Sequence, residues 1–262
     1  MKMFKKISMI VVVIAVTLTA FYIFWLSPRY TVPILMYHRF GYEEGTLFVT
    51  PENFSRQMEY LKKHAYSVIS LDELARRIKT GAKIGHNTVV ITIDDGYGDN
   101  YVYGYPVLRR YKFPATIFIA SNLVGHNKEF LDWGQVKEML SANISFGGHT
   151  RNHAYLPSIS SDNELLWDEV AGAKKEIEKN TGLPVYYFCY PIGGFDEKVK
   201  EVVREAGYLA ACTTNRGFVD FNKDLYELKR VKITNSDGNK PFSLWAKLTG
   251  YYNLFRSKKR GY

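Results

Sequence analysis

Val89-Val90-Ile91-Thr92-Ile93-Asp94 is a short apolar run that stops on a carboxylate, with Asp95 and Gly96 directly behind it. A run of this length, apolar without alternation and closed by a turn residue, reads as a strand buried on both faces. Six more such runs occur, at Val32–His38, Tyr66–Ser70, Ala115–Ala120, Ile144–Gly147, Val185–Tyr190 and Leu209–Thr213. Longer amphipathic stretches separate them. Thr50-Pro51-Glu52 opens one with an N-cap residue and a proline at the first helical position, and Phe54, Met58 and Leu61 mark its buried face. Asp132–Leu140, Ser160–Asn180 and Asp196–Glu205 read as further helices, the last two closed by Thr181-Gly182 and Ala206-Gly207. Alternating strands and helices specify an α/β fold, and seven units predict a distorted or incomplete (β/α)7 barrel. An open doubly wound sheet is the alternative.

Upstream lies a segment of another kind. Residues 8–26 (SMIVVVIAVTLTAFYIFWL) carry no charge, and as a helix they would reach about 28 Å, close to the thickness of a bilayer core. Lys2, Lys5 and Lys6 precede the segment and only Arg29 follows closely, which predicts a cytoplasmic N-terminus and an extracellular body. Tyr22 and Trp25 suit the outer interface. A cleaved signal, giving a secreted protein, is the alternative, although Phe-Trp-Leu-Ser-Pro makes a poor cleavage site. The expected organisation is therefore a cytoplasmic N-terminus (1–7), a transmembrane anchor (8–26), a catalytic body (27–239) and a basic aromatic C-terminal segment (240–262).

The composition narrows the class. With 46% hydrophobic and 23% charged residues, twenty glycines, nine prolines and two cysteines, collagen-like, low-complexity and disulfide-framework proteins are excluded. The net charge of +9 is confined to the ends, where three basic residues in 1–6 and six in 240–262 face no acid. The stretch between holds 26 basic and 26 acidic groups, which argues against a nucleic-acid-binding body. The C-terminal segment, rich in Phe, Trp and Tyr, is expected either to pack on the barrel or to lie on anionic lipid or wall polymer. Cys189 and Cys212 fall in neighbouring strands. Two buried thiols is the simpler reading, and a disulfide stays open.

In a β/α barrel the chemistry sits at the C-terminal strand ends. Four of the runs end in groups able to do it: His38, Asp94 and Asp95, His149 with His153 after it, and Tyr190-Pro191. Two carboxylates in succession repel unless a cation holds one as its anion. His149 and His153, four residues apart, can share one face of a helical turn and grip one metal. One carboxylate with two imidazoles leaves coordination positions open, as catalytic sites do. Zn²⁺ suits these donors, as do Co²⁺, Ni²⁺ and Fe²⁺. His64, His86 and His126 read as surface residues. Tyr97, Tyr101, Tyr103 and Tyr105 read mainly as packing, with one or two open to a sugar cleft.

The set Thr92-Ile93-Asp94-Asp95-Gly96, His149-Thr150-x-x-His153 and Tyr190-Pro191-Ile192-Gly193 resembles the polysaccharide deacetylase family, the NodB-homology carbohydrate esterases, over about residues 32–235. The resemblance implies a seven-stranded distorted barrel and metal-assisted removal of N- or O-acetyl groups from polysaccharides. It implies Asp95, His149 and His153 as metal ligands, Asp94 as general base, and the backbone N–H of Tyr190 as the oxyanion donor. Two departures stand out. Many members carry an arginine where this chain has Cys189, and many end with a Leu-x-His element whose histidine is the general acid, whereas no histidine follows His153 here. The opening Val32-Pro33-Ile34-Leu35-Met36-Tyr37-His38 resembles the branch acting on poly-β-1,6-N-acetylglucosamine, a biofilm polymer, and makes His38 the acid candidate. Asp132-Trp133 also resembles that branch; Trp133 could wall the sugar site or simply pack. A peptidoglycan deacetylase is the alternative enzyme, and an inactive cell-surface sugar-binding protein the alternative of another class.

Overall fold

Apolar runs become strands and capped amphipathic stretches become helices in a computed structural model that describes residues 2–215, 224–254 and 256. In chain order the strands are β1 (Ile34–Tyr37), β2 (Arg39–Phe40), β3 (Phe48–Val49), β4 (Ser67–Val68), β5 (Thr88–Ile93), β6 (Ala115–Ile119), β7 (Ile144–Gly148), β8 (Tyr187–Cys189), β9 (Ala210–Thr213), β10 (Leu228–Lys229) and β11 (Val231–Lys232). β2 and β3 form a small pair of their own. The main sheet is parallel and runs β10-β9-β8-β7-β6-β5-β1-β11. Only Arg230 separates its two outermost strands. One strand, interrupted at a single residue, thus flanks β9 with Leu228–Lys229 and β1 with Val231–Lys232, and the barrel nearly closes.

The distorted-barrel expectation holds, with a correction to its staves. The run at Tyr66–Ser70 supplies β4, which pairs only with the start of β5 and lies off the barrel path. The closing stave is the split strand Leu228–Lys232. Three charged residues in five hide it from a search for apolar runs: Arg230 is buried against Asp94, Lys229 lies near Glu227 and Lys232 donates to Thr46 Oγ1.

The helices start where capping chemistry places them. Thr50 caps Pro51–Lys63 by accepting from the Asn53 N–H, and Asp132 with Gln135 forms a reciprocal box at Trp133–Leu140. Asp196 caps Glu197–Glu205. The stretch expected from Ser160 begins at Asn163, where Asp162 accepts from Glu164 and Leu165, and Gly182 ends it at a φ of 70°. Phe54, Met58, Leu61, Val136, Met139, Ile177, Val199 and Val203 turn inward onto the strands. Burial of each such side chain contributes about 1.5–3 kcal/mol.

By contact the chain divides into units spanning 1–31 and 32–262. In the first, a helix over Lys2–Phe21 continues as a π-turn and a 3₁₀ turn to Arg29. Lys6–Arg29 contains an 18-residue window of mean hydropathy 2.6 and is long and apolar enough to cross a membrane. In the second, the C-terminal helix Pro241–Leu248 buries Leu244 and Leu248 and leaves Phe242 and Trp245 outside. Lys247 anchors it by donating to Asp237 Oδ2 (2.6 Å) and to the Lys232 carbonyl (2.9 Å). Phe255 and residues 257–262 of the basic segment lie outside the described residues. Cys189 and Cys212 are register partners in β8 and β9, both buried free thiols.

Gly147 in β7 is where packing is least forgiving. A Cβ there would stand 2.6 Å from the Phe118 ring and 2.7 Å from the Tyr187 carbonyl oxygen, which belongs to the next strand and has little room to yield. Gly147→Ala is expected to destabilise the barrel by about 1–3 kcal/mol, seen as a lower urea midpoint at unchanged slope.

Candidate active site

Three motif loops meet at the C-terminal end of the barrel, and each holds its backbone in an uncommon state. Among the described non-glycine residues, Asp95 (φ 73°), Thr150 (φ 63°), His153 (φ 58°) and Ile192 (φ 60°) all have positive φ. Such residues persist only where surrounding contacts over-determine them, and they cluster at functional sites. Gly96 (φ 71°) completes the first loop; a Cβ there would meet Ile119 Cγ2 at 2.6 Å. The His149–His153 stretch is a strained turn rather than the helical turn expected from its spacing. Glu169, buried beneath it, takes up the loop's amides by accepting from Arg151 N (2.9 Å) and Asn152 N (3.0 Å), while Thr150 Oγ1 accepts from Ala154 N (3.0 Å).

That turn still brings the two imidazoles together. His149 Nε2 and His153 Nε2 each lie 3.2 Å from Asp95 Oδ1, and the three donor atoms fall within 4.8 Å of one another. His149 Nδ1 meets the Cys189 carbonyl at 2.6 Å. An Nδ1–H donating to that oxygen orients the ring so that Nε2 faces Asp95, the usual support for a metal-binding histidine. Burial pushes the Asp95 carboxyl up, but hydrogen bonds to His149 and His153 more than offset this and hold it far below the usual range. A carboxylate kept ionised and two oriented imidazoles form a donor set that fits a divalent cation.

Asp94 is held differently, although one of its oxygens also lies within 4.8 Å of His149. Only 2% exposed, it is gripped by Arg230, whose Nη1 and Nη2 donate to Oδ1 and Oδ2 at 2.6 Å each. Burial pushes Asp94 up, Arg230 pulls it down further, and His38 and His149 add to the pull, so its carboxyl sits below the ordinary value. His38 Nε2 is 3.8 Å from Asp94 Oδ2. Burial lowers the His38 pKa, against an upward pull from Asp94 and Asp95. Asp94, Asp95, His38, His149 and His153 therefore form one group.

Tyr190 does not join them as expected. Its N–H donates to the Cys212 carbonyl (3.1 Å) as part of the strand ladder, and its buried hydroxyl donates to the Tyr226 carbonyl (3.0 Å). The amide expected at the oxyanion is thus already committed, because the strand-like pairing runs one residue past Cys189. Beyond it the chain turns sharply, and Ile192 is 56% exposed there. Trp133 is half-buried against the core, and His64, His86 and His126 are exposed.

Arg230 is the site residue that sequence reasoning missed. Its Nη2 also lies 3.1 Å from Cys189 Sγ, so a guanidinium from the closing strand reaches the place where many family members carry an arginine on the third motif. The available signal was Leu228-Lys229-Arg230-Val231-Lys232-Ile233: charges between apolar residues that, once buried, must find a counter-charge.

A parallel α/β barrel carries at its strand ends an Asp–His–His cluster whose donors fit a divalent cation, and beside it a second carboxylate held by an arginine. The polysaccharide deacetylase family model matches residues 81–211, and the chain belongs to that family. It is 32% identical over 202 residues to YxkH of Bacillus subtilis (strain 168), a protein named for polysaccharide deacetylase activity, covering 77% of this chain and 71% of that one. It is 26% identical over 201 residues to the poly-β-1,6-N-acetyl-D-glucosamine N-deacetylase of Staphylococcus aureus, with 71% and 68% covered. The solved structure of the Streptococcus pyogenes deacetylase PplD in complex with acetate superposes with a TM-score of 0.74 at 25% identity, over 81% of this chain and 97% of that one. The protein is a deacetylase of the polysaccharide-directed hydrolase class.

The Arg230–Asp94 pair makes stability depend on pH. The folded pKa of Asp94 lies below its unfolded value near 3.9, so the pair's contribution is complete above about pH 5 and lost as pH falls through the folded value. Arg230→Met strands a buried carboxylate and is expected to cost about 3–5 kcal/mol at neutral pH. Urea unfolding at several pH values should show that cost shrinking toward acid pH as Asp94 protonates in the variant.

Proposed function

We propose that this protein removes N-acetyl groups from an extracellular polymer of N-acetylglucosamine, with poly-β-1,6-N-acetylglucosamine as its substrate. The observation that carries the chemistry is the convergence of Asp95, His149 and His153 on one point while Asp94, one residue away, is held ionised by Arg230 instead. The similarity to the staphylococcal enzyme and the placement of His38 beside Asp94 support the choice of polymer. The apolar helix at Lys6–Arg29 supports work at the outer face of a membrane, on a polymer as it emerges.

A divalent ion held by Asp95, His149 and His153, Zn²⁺ being the ion that suits these donors, would supply Lewis acidity toward the acetamide carbonyl and toward water. The residues provide the rest. Asp94 takes a proton from the attacking water, and Arg230 keeps it ionised until then. The Ile192 N–H, in the exposed turn beyond the Tyr190 ladder bond, donates to the oxyanion that develops on the carbonyl. His38, whose protonated form is opposed by burial and favoured by the Asp94 and Asp95 carboxylates beside it, gives its proton to the departing sugar nitrogen and is recharged by the proton that Asp94 took from water. The proton released at water is thereby balanced by the one the amine gains, and acetate leaves. Each acid–base step of this kind contributes about 10²–10⁴-fold.

These roles separate in the laboratory. Asp94→Asn is expected to lose about 10²-fold or more in turnover while retaining stoichiometric metal by elemental analysis. Asp95→Ala and His149→Ala are expected to lose both, and chelation should abolish wild-type activity until metal is returned. Metal retained in His149→Ala would refute the ligand set.

The substrate is tested by acetate release from β-1,6-linked, chitin and peptidoglycan oligomers at equal concentration. The β-1,6-linked oligomers should give the highest kcat/KM. A preference for peptidoglycan would overturn the choice of polymer and leave the chemistry in place.

A further inference from the structure

His38 sits between β1 and β2, outside any regular hydrogen-bond ladder, yet its imidazole must face Asp94 closely. What holds it comes from the loop that carries Asp94. Asn100 Nδ2 donates to the His38 carbonyl oxygen at 2.8 Å. Asp99 Oδ1 accepts from the Phe40 N–H at 3.0 Å, and Asp99 Oδ2 from Arg39 Nε at 2.8 Å. Three successive residues are thus clamped by two neighbours, through the carbonyl of the first, the side chain of the second and the amide of the third. The clamp is tied to itself, since Asn100 Nδ2 also donates to Asp99 Oδ1 at 3.0 Å.

Two observations show that the clamp is built at a cost. Asn100 is fully buried, and its Oδ1 finds no hydrogen-bond partner among the described residues. Flipping the amide would set that oxygen against the His38 carbonyl and the Asp99 carboxylate, so the network itself fixes the orientation. An orphaned buried acceptor costs about 1–3 kcal/mol, which the fold tolerates to keep both donations. Arg39 is fixed from the far side as well. Its guanidinium lies 4.1 Å from the Tyr97 ring centroid and 4.8 Å from that of Phe48, and Nη1 donates to Glu129 at 3.1 Å.

We infer that Asp99 and Asn100 are positioning residues whose task is to register His38 against Asp94, so that the loop bearing the base also sets the acid. This rests on the reading of His38 as the proton donor. Misplacement of a reacting group by about 1 Å can cost 10²-fold in rate, and this clamp is what prevents it.

The test is a double-mutant cycle on the full chain with bound metal, using a β-1,6-linked glucosamine oligomer. Asp99→Ala and Asn100→Ala should each lower kcat by about 10–100-fold, with KM and metal content unchanged. In a His38→Ala background the same substitutions should change kcat by less than about twofold, because the group they position is gone. Asp99→Asn, which preserves shape and both acceptor contacts at Oδ1 but sets an amide N–H against Arg39 Nε, should recover part of the rate lost in Asp99→Ala and keeps the cycle readable if the alanine variant fails to fold. Losses that multiply in the His38→Ala background, or loss of metal in Asp99→Asn, would overturn the inference. Unchanged kcat in His38→Ala itself would sink the acid assignment and this inference together.

Discussion

A guanidinium sealed inside a barrel must find its counter-charge there, and Arg230 finds it in Asp94. The pair joins the interruption of the last strand to the end of the central one, so barrel closure and the state of the base rest on the same two hydrogen bonds. Each partner alone would be ruinous to bury, since an uncompensated interior charge costs several kcal/mol. Arg230 also donates to Thr92 Oγ1, whose own hydroxyl donates to the Leu35 carbonyl, which carries the tie on to β1. Closing the sheet with a split, charged strand gives up regular ladder bonds at Arg230 and gains a fixed positive charge under the Asp94 carboxylate.

Above that plane, rigidity is concentrated in the loops. Residues with uncommon backbone angles would relax if left to themselves. Here the His149–His153 loop has two buried polar braces, Glu169 beneath it and the Cys189 carbonyl behind the His149 ring, and Asn100 stands behind His38. Strand ends set where the loops begin, and the braces set where their side chains finish. Neither task falls to a residue whose type alone would announce it, since Glu169 looks in the sequence like any acid on an amphipathic helix.

That distinction explains what could be read from sequence. Strands such as Val89–Asp94 and Ala115–Ala120 declare themselves because both faces are buried, and the helix starts at Pro51, Trp133 and Glu197 because capping is local chemistry. The convergence of Asp95, His149 and His153 could be anticipated because such side chains are few and strand ends locate them. The split strand and Arg230 escaped because their burial depends on a counter-charge more than a hundred residues away. Tyr190 was misjudged because whether an amide is free depends on how far a strand pairs, which a motif does not contain. The Asn100 amide escaped for the same reason, its partners being backbone groups.

The adjacent carboxylates show how one sequence position divides two tasks. Neighbouring residues on a strand point to opposite sides, and the positive φ at Asp95 turns the chain just as β5 ends. Asp94 therefore still faces the barrel interior and meets Arg230, while Asp95 faces the turn that carries His149 and His153. Were both directed to the histidines, one would be driven to protonate by its neighbour's charge. Arg230 faces the one and the two imidazoles the other, so the two carboxylates have separate partners a few ångströms apart. That division gives adjacent residues of one type different surroundings, which is the asymmetry the proposed hydrolysis draws on.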